Sequence, residues 1–501
     1  MTRQFQLLAD QAFARTAGAP LVGGNAVRLL KDGNENYPAW LEAIRSAKHW
    51  IHLETYILHD DTIGRVFAEA LCERARAGVK VRLLVDWLGS LLKSGPGFWR
   101  TFAKAGVDAR SFGYPTIDSP LGWVSRDHRK TLCVDGRIAF VSGLCVGDEW
   151  LADPKTGREA QRDTGVMIEG PAVADCEAAF AEAWSTTGQR IADDEIPQAA
   201  NIAECGDVAL RVVATMPATA GVFKLDQLVA SVARETLWIT DAYFVGVSAY
   251  IRALIAAAQD GVDVRMLVPG TVDVFGVGAM SRSGFRALLE GGVRIFEWNG
   301  PMVHAKTAVA DGKWARVGSS NLNVTSWFGN WELDVAIEDE PFGAQMMEVF
   351  ERDLENSTEV VLKARKVYSV ERRKKPHIED WRRHGRSTTR AAAAGAIRMG
   401  RTLGAAITRR REVGPAEAIN LFWSSLIFLG LGVLAFFVPK AISLPFGIIA
   451  VWFAVAGLFR RGDSTGVKLA KLLIRQKIAA TPPTPGRITT RDMIGVSLDC
   501  R

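Results

Sequence analysis

The sequence predicts an α/β protein of two like halves, each a mixed, mostly parallel sheet flanked by helices, with an apolar helical hairpin after them. Three observations carry this expectation. First, WLEAIRSAKHWIHLETYIL, an amphipathic stretch and GVKVRLLVDW are matched later by LDQLVASVARETLWITDAYFV and GVDVRMLVPG. Second, one rare spacing is written twice, as His128-x-Lys130-x4-Asp135 and His304-x-Lys306-x4-Asp311. Third, residues 419–438 and 441–459 are uncharged apolar runs separated only by Pro439 and Lys440.

In chain order, the first twenty residues read as a peripheral helix, without the apolar core of about 7–15 residues that a secretory signal needs. In the first half, residues 1–200, the runs WIHLETYI and VKVRLLV alternate with helical patterns, and the strand of the first His-Lys pair follows. The segment PTIDSPLGWVS just before that pair is expected as a loop over a cleft. The second half, residues 201–362, repeats the order with LWITDAYF and VDVRMLV. Near-continuous apolar runs of this kind suit strands covered by helices. Placement of the halves across a pseudo-twofold axis would bring both His-Lys pairs into one cleft.

Residues 363–415 are expected to form a basic linker and an amphipathic helix beside anionic lipid headgroups. Between positions 363 and 411 stand 16 Lys or Arg against 3 Asp or Glu. Since the whole chain carries +6 and this segment about +13, everything else sums to about −7. A uniformly basic surface for nucleic acid is therefore not expected. At 416–461 each apolar run is long enough for the ~30 Å hydrocarbon core, so the pair reads as a transmembrane hairpin. Arg409, Arg410 and Arg411 precede it and Arg460 and Arg461 follow, which is expected to place both flanks and the two α/β halves on the cytoplasmic side. The tail, 462–501, holds a basic amphipathic piece and the Pro-rich TPPTPG, and is expected to be disordered. Six cysteines without a CxxC pair suit reduced thiols.

The repeated motif indicates work on a phosphate ester. A phosphodiester resists nucleophiles until its charge is neutralised, and Lys130 and Lys306 supply compact positive charge. One histidine can attack phosphorus and another can protonate the departing alkoxide; with an ordinary pKa of about 6.5, imidazole suits both tasks. His and Lys two apart on a strand leave the same face, while Asp135 and Asp311 point the other way and read as structural or orienting groups rather than participants in the chemistry. A metal is rejected, because a lysine between histidine and aspartate repels a divalent cation and no Cys or Glu cluster lies nearby. No cofactor is expected.

With IHLETYILHDDTIGRVFAEAL, GVKVRLLVDWLGS, RDHRKTLCVDGRIAFVSGLCVGDEW, QRDTGVMIEGPAV and GVRIFEWNGPMVHAKTAVADGKWARVGSSNLN, the chain resembles the phospholipase D superfamily, the enzymes with two HKD motifs. Within it the likeness is to bacterial cardiolipin synthases of the phospholipase D type, over residues 37–340 or so. The resemblance implies two phospholipase D-like halves with His128 as nucleophile, His304 as general acid and base, and Lys130 and Lys306 on the phosphate. It also implies that Asn321, with Ser319 in the same GSSN stretch, donates to the phosphate. Glu332 would orient a catalytic histidine, and Asp163 would play the matching role in the first half. One departure is Ser142-Gly143-Leu144-Cys145, where the family pattern has an asparagine at the place of Cys145. A thiol is a weaker donor than an amide, so one phosphate contact is expected to be weakened.

The activity so implied is transfer of a phosphatidyl group from phosphatidylglycerol to a second phosphatidylglycerol, through a phosphohistidine, at a cell inner membrane. Phosphatidylethanolamine as donor is a variant. Water as acceptor would make the protein a phospholipase D, and a nuclease or a non-catalytic membrane scaffold are weaker alternatives. Partners are then phospholipids and an anionic membrane surface, with no nucleic acid expected.

Overall fold

The apolar runs of the first half fold as β1 (Val22–Lys31), β2 (Trp50–Thr55), β3 (Lys80–Asp86), β4 (Asp108–Phe112), β5 (Lys130–Val134), β6 (Ile138–Ser142) and β7 (Thr164–Glu169). The second half repeats them as β8 (Val208–Thr215), β9 (Thr236–Thr240), β10 (Asp263–Pro269), β11 (Arg294–Trp298), β12 (Thr307–Ala310), β13 (Trp314–Gly318) and β14 (Glu332–Glu338). Two further strands follow, β15 (Ser357–Lys363) and, at the edge, β16 (Lys366–Val370). The structure is a computed structural model that describes residues 11–115, 124–217, 219–273, 277–363 and 366–370. The expected amphipathic helix, the hairpin at 416–461, the tail at 462–501 and most of the loop before His128 lie outside these residues. Residues 366–370, expected as linker, instead extend the sheet. Among the described residues no helix is long and apolar enough to cross a membrane.

All sixteen strands form one sheet. Antiparallel pairing of β1 with β8 joins the halves, and the order outward from that seam is the same on both sides. It runs β7-β6-β5-β2-β3-β4 one way and β14-β13-β12-β9-β10-β11 the other, as a twofold relation requires. The expectation of a mostly parallel sheet is corrected here. Only β2–β3, β3–β4, β9–β10 and β10–β11 are parallel; the other pairings are antiparallel. The tight turns after β5 and β12 leave no room for a crossover, so β6 and β13 must return antiparallel. These central strands are nonetheless buried along their whole length, as β5 and β13 are, which is why they lack the polar alternation of a one-sided sheet.

Helices cover the sheet and close its cores. Thr62–Arg76 is capped by Asp61, whose carboxylate accepts from the Gly64 N–H, and Glu340–Glu355 by Asp339, which accepts from Phe342 N–H. One core lies in the first half around Trp40, Phe67 and Phe140, and another in the second around Tyr250, Phe285 and Trp327. A third crosses the seam, packing Val141 and Val166 with Val212, Leu333, Val335 and Phe350.

The third member of each motif belongs to this scaffold. Asp135 and Gly136 both take left-handed backbone (φ 54° and 62°), as do Asp311 and Gly312 (53° and 64°), and they turn the chain from β5 into β6 and from β12 into β13. The Asp135 carboxylate accepts from the backbone N–H groups of Lys48, His49 and Trp50 at 2.8–2.9 Å. Asp311 accepts in the same way from Arg234, Glu235 and Thr236 at 2.7–2.9 Å. Each aspartate thus pins the far end of its hairpin to the start of β2 or β9. Replacing Asp135 or Asp311 by Ala is expected to cost about 1–3 kcal/mol, more at the better buried Asp135, because three charge-assisted hydrogen bonds are lost and their backbone donors are left without a partner. Urea unfolding would check this, and a loss below about 0.5 kcal/mol would contradict the anchoring role.

Candidate active site

Both His-Lys pairs sit where a buried strand begins. Lys130 opens β5 with His128 two residues before it, and Lys306 precedes β12 with His304 two residues further back. Backbone bridges then tie each entry to the other half. His128 N–H donates to the Trp331 carbonyl at 2.9 Å and Trp331 N–H to the Arg126 carbonyl at 2.8 Å. Likewise His304 N–H donates to the Arg162 carbonyl at 2.7 Å, and Arg162 N–H to Met302 at 2.9 Å.

Side chains cross in the same sense. His128 Nδ1 lies 2.9 Å from Glu332 Oε2, at the head of β14, and His304 Nδ1 lies 2.8 Å from Asp163 Oδ2, just before β7. Asp163 therefore faces the histidine of the opposite half, and so does Glu332. A carboxylate accepts only, so each Nδ1 carries the proton and donates it, which leaves Nε2 with its lone pair. Further bonds hold the carboxylates. Ser319 Oγ donates to Glu332 Oε2 at 2.6 Å and Asn330 Nδ2 to Oε1 at 3.2 Å, while Trp150 Nε1 donates to Asp163 Oδ2 at 3.1 Å. Ser319 is thus engaged with Glu332, and its carbonyl lies 3.1 Å from His128 Nδ1.

Each lysine ammonium turns back to the carbonyl of its own histidine, and Lys306 Nζ also lies 3.0 Å from His304 Nδ1. These two ammonium groups, both almost fully buried, are the site's own cations. Asn321 is buried, and its Oδ1 makes no hydrogen bond among the described residues. Cys145 stands at the equivalent position of the first half. Burial pushes its thiol up while Lys130 and Lys306 pull it down, so it is a neutral thiol within reach of both ammonium charges.

Burial dominates the electrostatics. It pushes His128 below its ordinary value against the pull of Glu332. His304 is pushed down to about 4 by burial and the Lys306 charge, against Asp163. Lys306 falls to about 8 for the same reason, with Asp163 opposing. Burial raises Asp163 and Glu332, but the facing histidine, a lysine charge and nearby hydrogen-bond donors together outweigh it, and both carboxyls stay below their usual range. The resting site holds neutral imidazoles between ionised carboxylates and ammonium groups.

Two tyrosines complete the walls. Tyr56 meets His128 edge-on at 4.9 Å between ring centroids and Tyr243 meets His304 at 5.9 Å; Lys130 and Lys306 lie 5.1 and 5.8 Å from the same rings. They are absent from the residues picked out by motif. The available signal was that WIHLETYI and LWITDAYF, equivalent strands, each place a tyrosine two residues after an acidic one.

Against this geometry the comparisons with known proteins are specific. A family model described as "Cardiolipin synthase, PLD-like domain" matches residues 40–184 and 229–354. A cardiolipin synthase of Halalkalibacterium halodurans is 33% identical over 355 residues, 69% of each chain. The chain belongs to the cardiolipin synthase family of phospholipase D-like enzymes. A probable cardiolipin synthase of Bacillus subtilis is also 33% identical, over 66% of each chain. At the level of fold, the crystal structure of a phosphatidylserine synthase from Haemophilus influenzae superposes with a TM-score of 0.55, at 14% identity, over 70% of this chain and 91% of that one. The activity of this family member is cardiolipin synthase-like, that of a phosphatidyltransferase.

Two outcomes follow from the crossed pairs. Asp163→Asn and Glu332→Gln should each lower kcat by about 10³-fold or more with folding intact by circular dichroism, since an amide can impose the wrong tautomer on its histidine. A loss under about tenfold would mean that these carboxylates only support the fold. His304 takes up a proton near pH 4 when folded but near 6.5 when unfolded, so its contribution to stability is complete above pH 6.5 and is lost as pH falls toward 4. Wild type should lose on the order of 3 kcal/mol across that window in urea unfolding, and His304→Gln clearly less; equal slopes would contradict a histidine buried in its neutral form.

Proposed function

We propose that the protein moves a phosphatidyl group between two phosphatidylglycerol molecules. His128 Nε2 attacks the phosphorus of the first, the bond to the terminal glycerol oxygen breaks, and His304 gives that oxygen its proton. A phosphatidyl-His128 and free glycerol result. A hydroxyl of the second phosphatidylglycerol then passes its proton to His304 and attacks phosphorus, releasing His128 and cardiolipin. The observation that carries this reading is the pair of buried imidazoles, each with Nδ1 committed to a carboxylate and a lysine two residues away.

The low resting value of His304 fits such a cycle. An anionic phosphodiester entering a buried site stabilises imidazolium, so substrate itself brings His304 toward its acid form. Lys130, Lys306 and the Asn321 amide hold the phosphate oxygens in this scheme. Cys145 replaces a second amide, which leaves donation one-sided and favours a slower enzyme over a different reaction. The assignment of attack to His128 follows its place in the first motif. The apolar runs at 419–438 and 441–459, with arginines at both ends, support an inner-membrane enzyme with its catalytic halves on the cytoplasmic side, and the basic stretch at 363–411 supports contact with anionic headgroups.

Lipid mass spectrometry on the detergent-solubilised enzyme with phosphatidylglycerol tests the reading. Cardiolipin and free glycerol are expected, and both are lost in His128→Ala and His304→Ala. Phosphatidic acid alone would make water the acceptor and the protein a phospholipase D. Peptide mapping of a trapped intermediate should place the phosphoryl group on His128; finding it on His304 would reverse the two roles.

A further inference from the structure

The exposed large apolar side chains of the described residues are not scattered. The loop after β3, which opens with the short helix Trp87–Ser90, carries Leu88, Leu91 and Leu92, which are 39%, 43% and 95% exposed. Tyr114 follows β4, and Val124 stands just before His128. In the second half Met280 lies in the first turn of the helix Val277–Glu290, and Val324 and Phe328 are the two ends of the helix Val324–Phe328. Only Val361, on β15, lies elsewhere.

Topology puts all but Val361 at the same end of the sheet as the two histidines. Thr55 pairs with Lys130, so β2 ends where β5 begins, and β3 and β4 run parallel to β2. Thr240 pairs with Thr307 and β10 runs parallel to β9, while β13 ends beside the start of β12. Local contacts bring this rim onto the site. A Cβ on Gly89 would meet the Tyr56 ring at 2.8 Å, Asn323 Nδ2 donates to the Tyr243 carbonyl at 3.0 Å, and Ser125 Oγ donates to the Gly329 carbonyl at 2.7 Å.

Single exposed apolar residues are ordinary, but their collection around one cleft marks a contact surface. Leu92 is held in left-handed backbone (φ 64°), an uncommon place for a leucine, with its side chain in solvent. Exposed Lys93 follows it and half-buried Trp87 opens the same loop. Apolar, aromatic and basic groups together suit the boundary between headgroups and acyl chains.

We propose that this rim docks on the bilayer, with Leu88, Leu91, Leu92, Val124, Val324 and Phe328 entering the headgroup–acyl boundary of a phosphatidylglycerol membrane. The inference rests on the lipid-substrate reading above. A phospholipid whose phosphate reached the two histidines from water would expose its chains, at roughly a fourfold loss of binding per methylene. A rim seated in the boundary lets the phosphate rise into the site while the chains stay in the membrane.

The test uses the full chain in vesicles of equal phosphatidylglycerol and phosphatidylcholine. Leu92→Cys, with Cys205→Ser and Cys500→Ser, carries an NBD label, and Lys313→Cys in the same background labels the opposite end of β12 and β13. Doxyl groups on the acyl chains should quench the label at 92 several-fold more than the label at 313. Equal quenching, or shielding that follows protein density rather than doxyl content (a second copy as occupant), would overturn the proposal. In addition, Leu91→Asp with Leu92→Asp should lower turnover of vesicular long-chain phosphatidylglycerol about tenfold and leave turnover of monomeric dihexanoyl phosphatidylglycerol unchanged. Equal loss on both substrates would also overturn it. If wild type turned over neither, the lipid-substrate reading would fall, and the quenching contrast alone would decide the rim.

Discussion

Two hydrogen bonds that cross the seam, His128 to Glu332 and His304 to Asp163, set the terms for much of the rest of the molecule. A carboxylate orients an imidazole only when both are held to a fraction of an ångström and kept from water. The continuous sheet through β1 and β8, the bridges at Asp127–Trp331 and Arg162–Val303, and the aspartate-anchored hairpins all fix the four strand ends from which these side chains project. Burial strong enough to neutralise His304 also depresses Lys306, so one desolvated environment acts on both members of that pair.

Twofold chemistry is supported by unequal surroundings. In the second half Arg316 bridges Asp226 and Asp334 at 3.1 and 2.8 Å, and Ser320 Oγ bonds Asp334 as well. By the register of the repeat, the first half has Phe140, Trp40, Gly165 and Leu144 at those places, and Trp40 packs on Phe140 with ring centroids 6.2 Å apart. A buried ion set and an apolar cluster of comparable bulk can replace one another at little net difference in stability. The polar half also keeps Ser319 and Asn321, where the apolar half has Gly143 and Cys145. Under the proposed function the amide donor, Asn321, then belongs to the repeat that carries His304.

Much of the candidate site was legible because one spacing was written twice: the pattern that picks out His128, Lys130, His304 and Lys306 survives any error about the sheet. Strand direction was not legible. VDVRMLV on β10 and the buried run of β5 look alike in composition, since strands covered on both faces lose their alternation whichever way they run. Nor could spacing reveal that Asp163 faces His304, because partner choice across the seam depends on how the halves dock. Asp135 and Asp311 carry the motif's letters, yet their carboxylates end on backbone N–H groups. Tyr56 and Tyr243 lie outside the motif and touch the histidines only after β2 and β9 are laid beside β5 and β12.

The crossed carboxylates make each repeat half of the candidate site rather than a smaller copy of it. Either repeat alone would hold a histidine and a lysine with no acceptor for Nδ1, and would have to borrow one from a neighbour. Joining the repeats through residues 186–207 turns that encounter into an intramolecular one, with an effective concentration set by a short tether instead of by how much protein the cell makes. Covalent linkage also frees the two sides to diverge, since a substitution such as Cys145 then enters the site once and not twice.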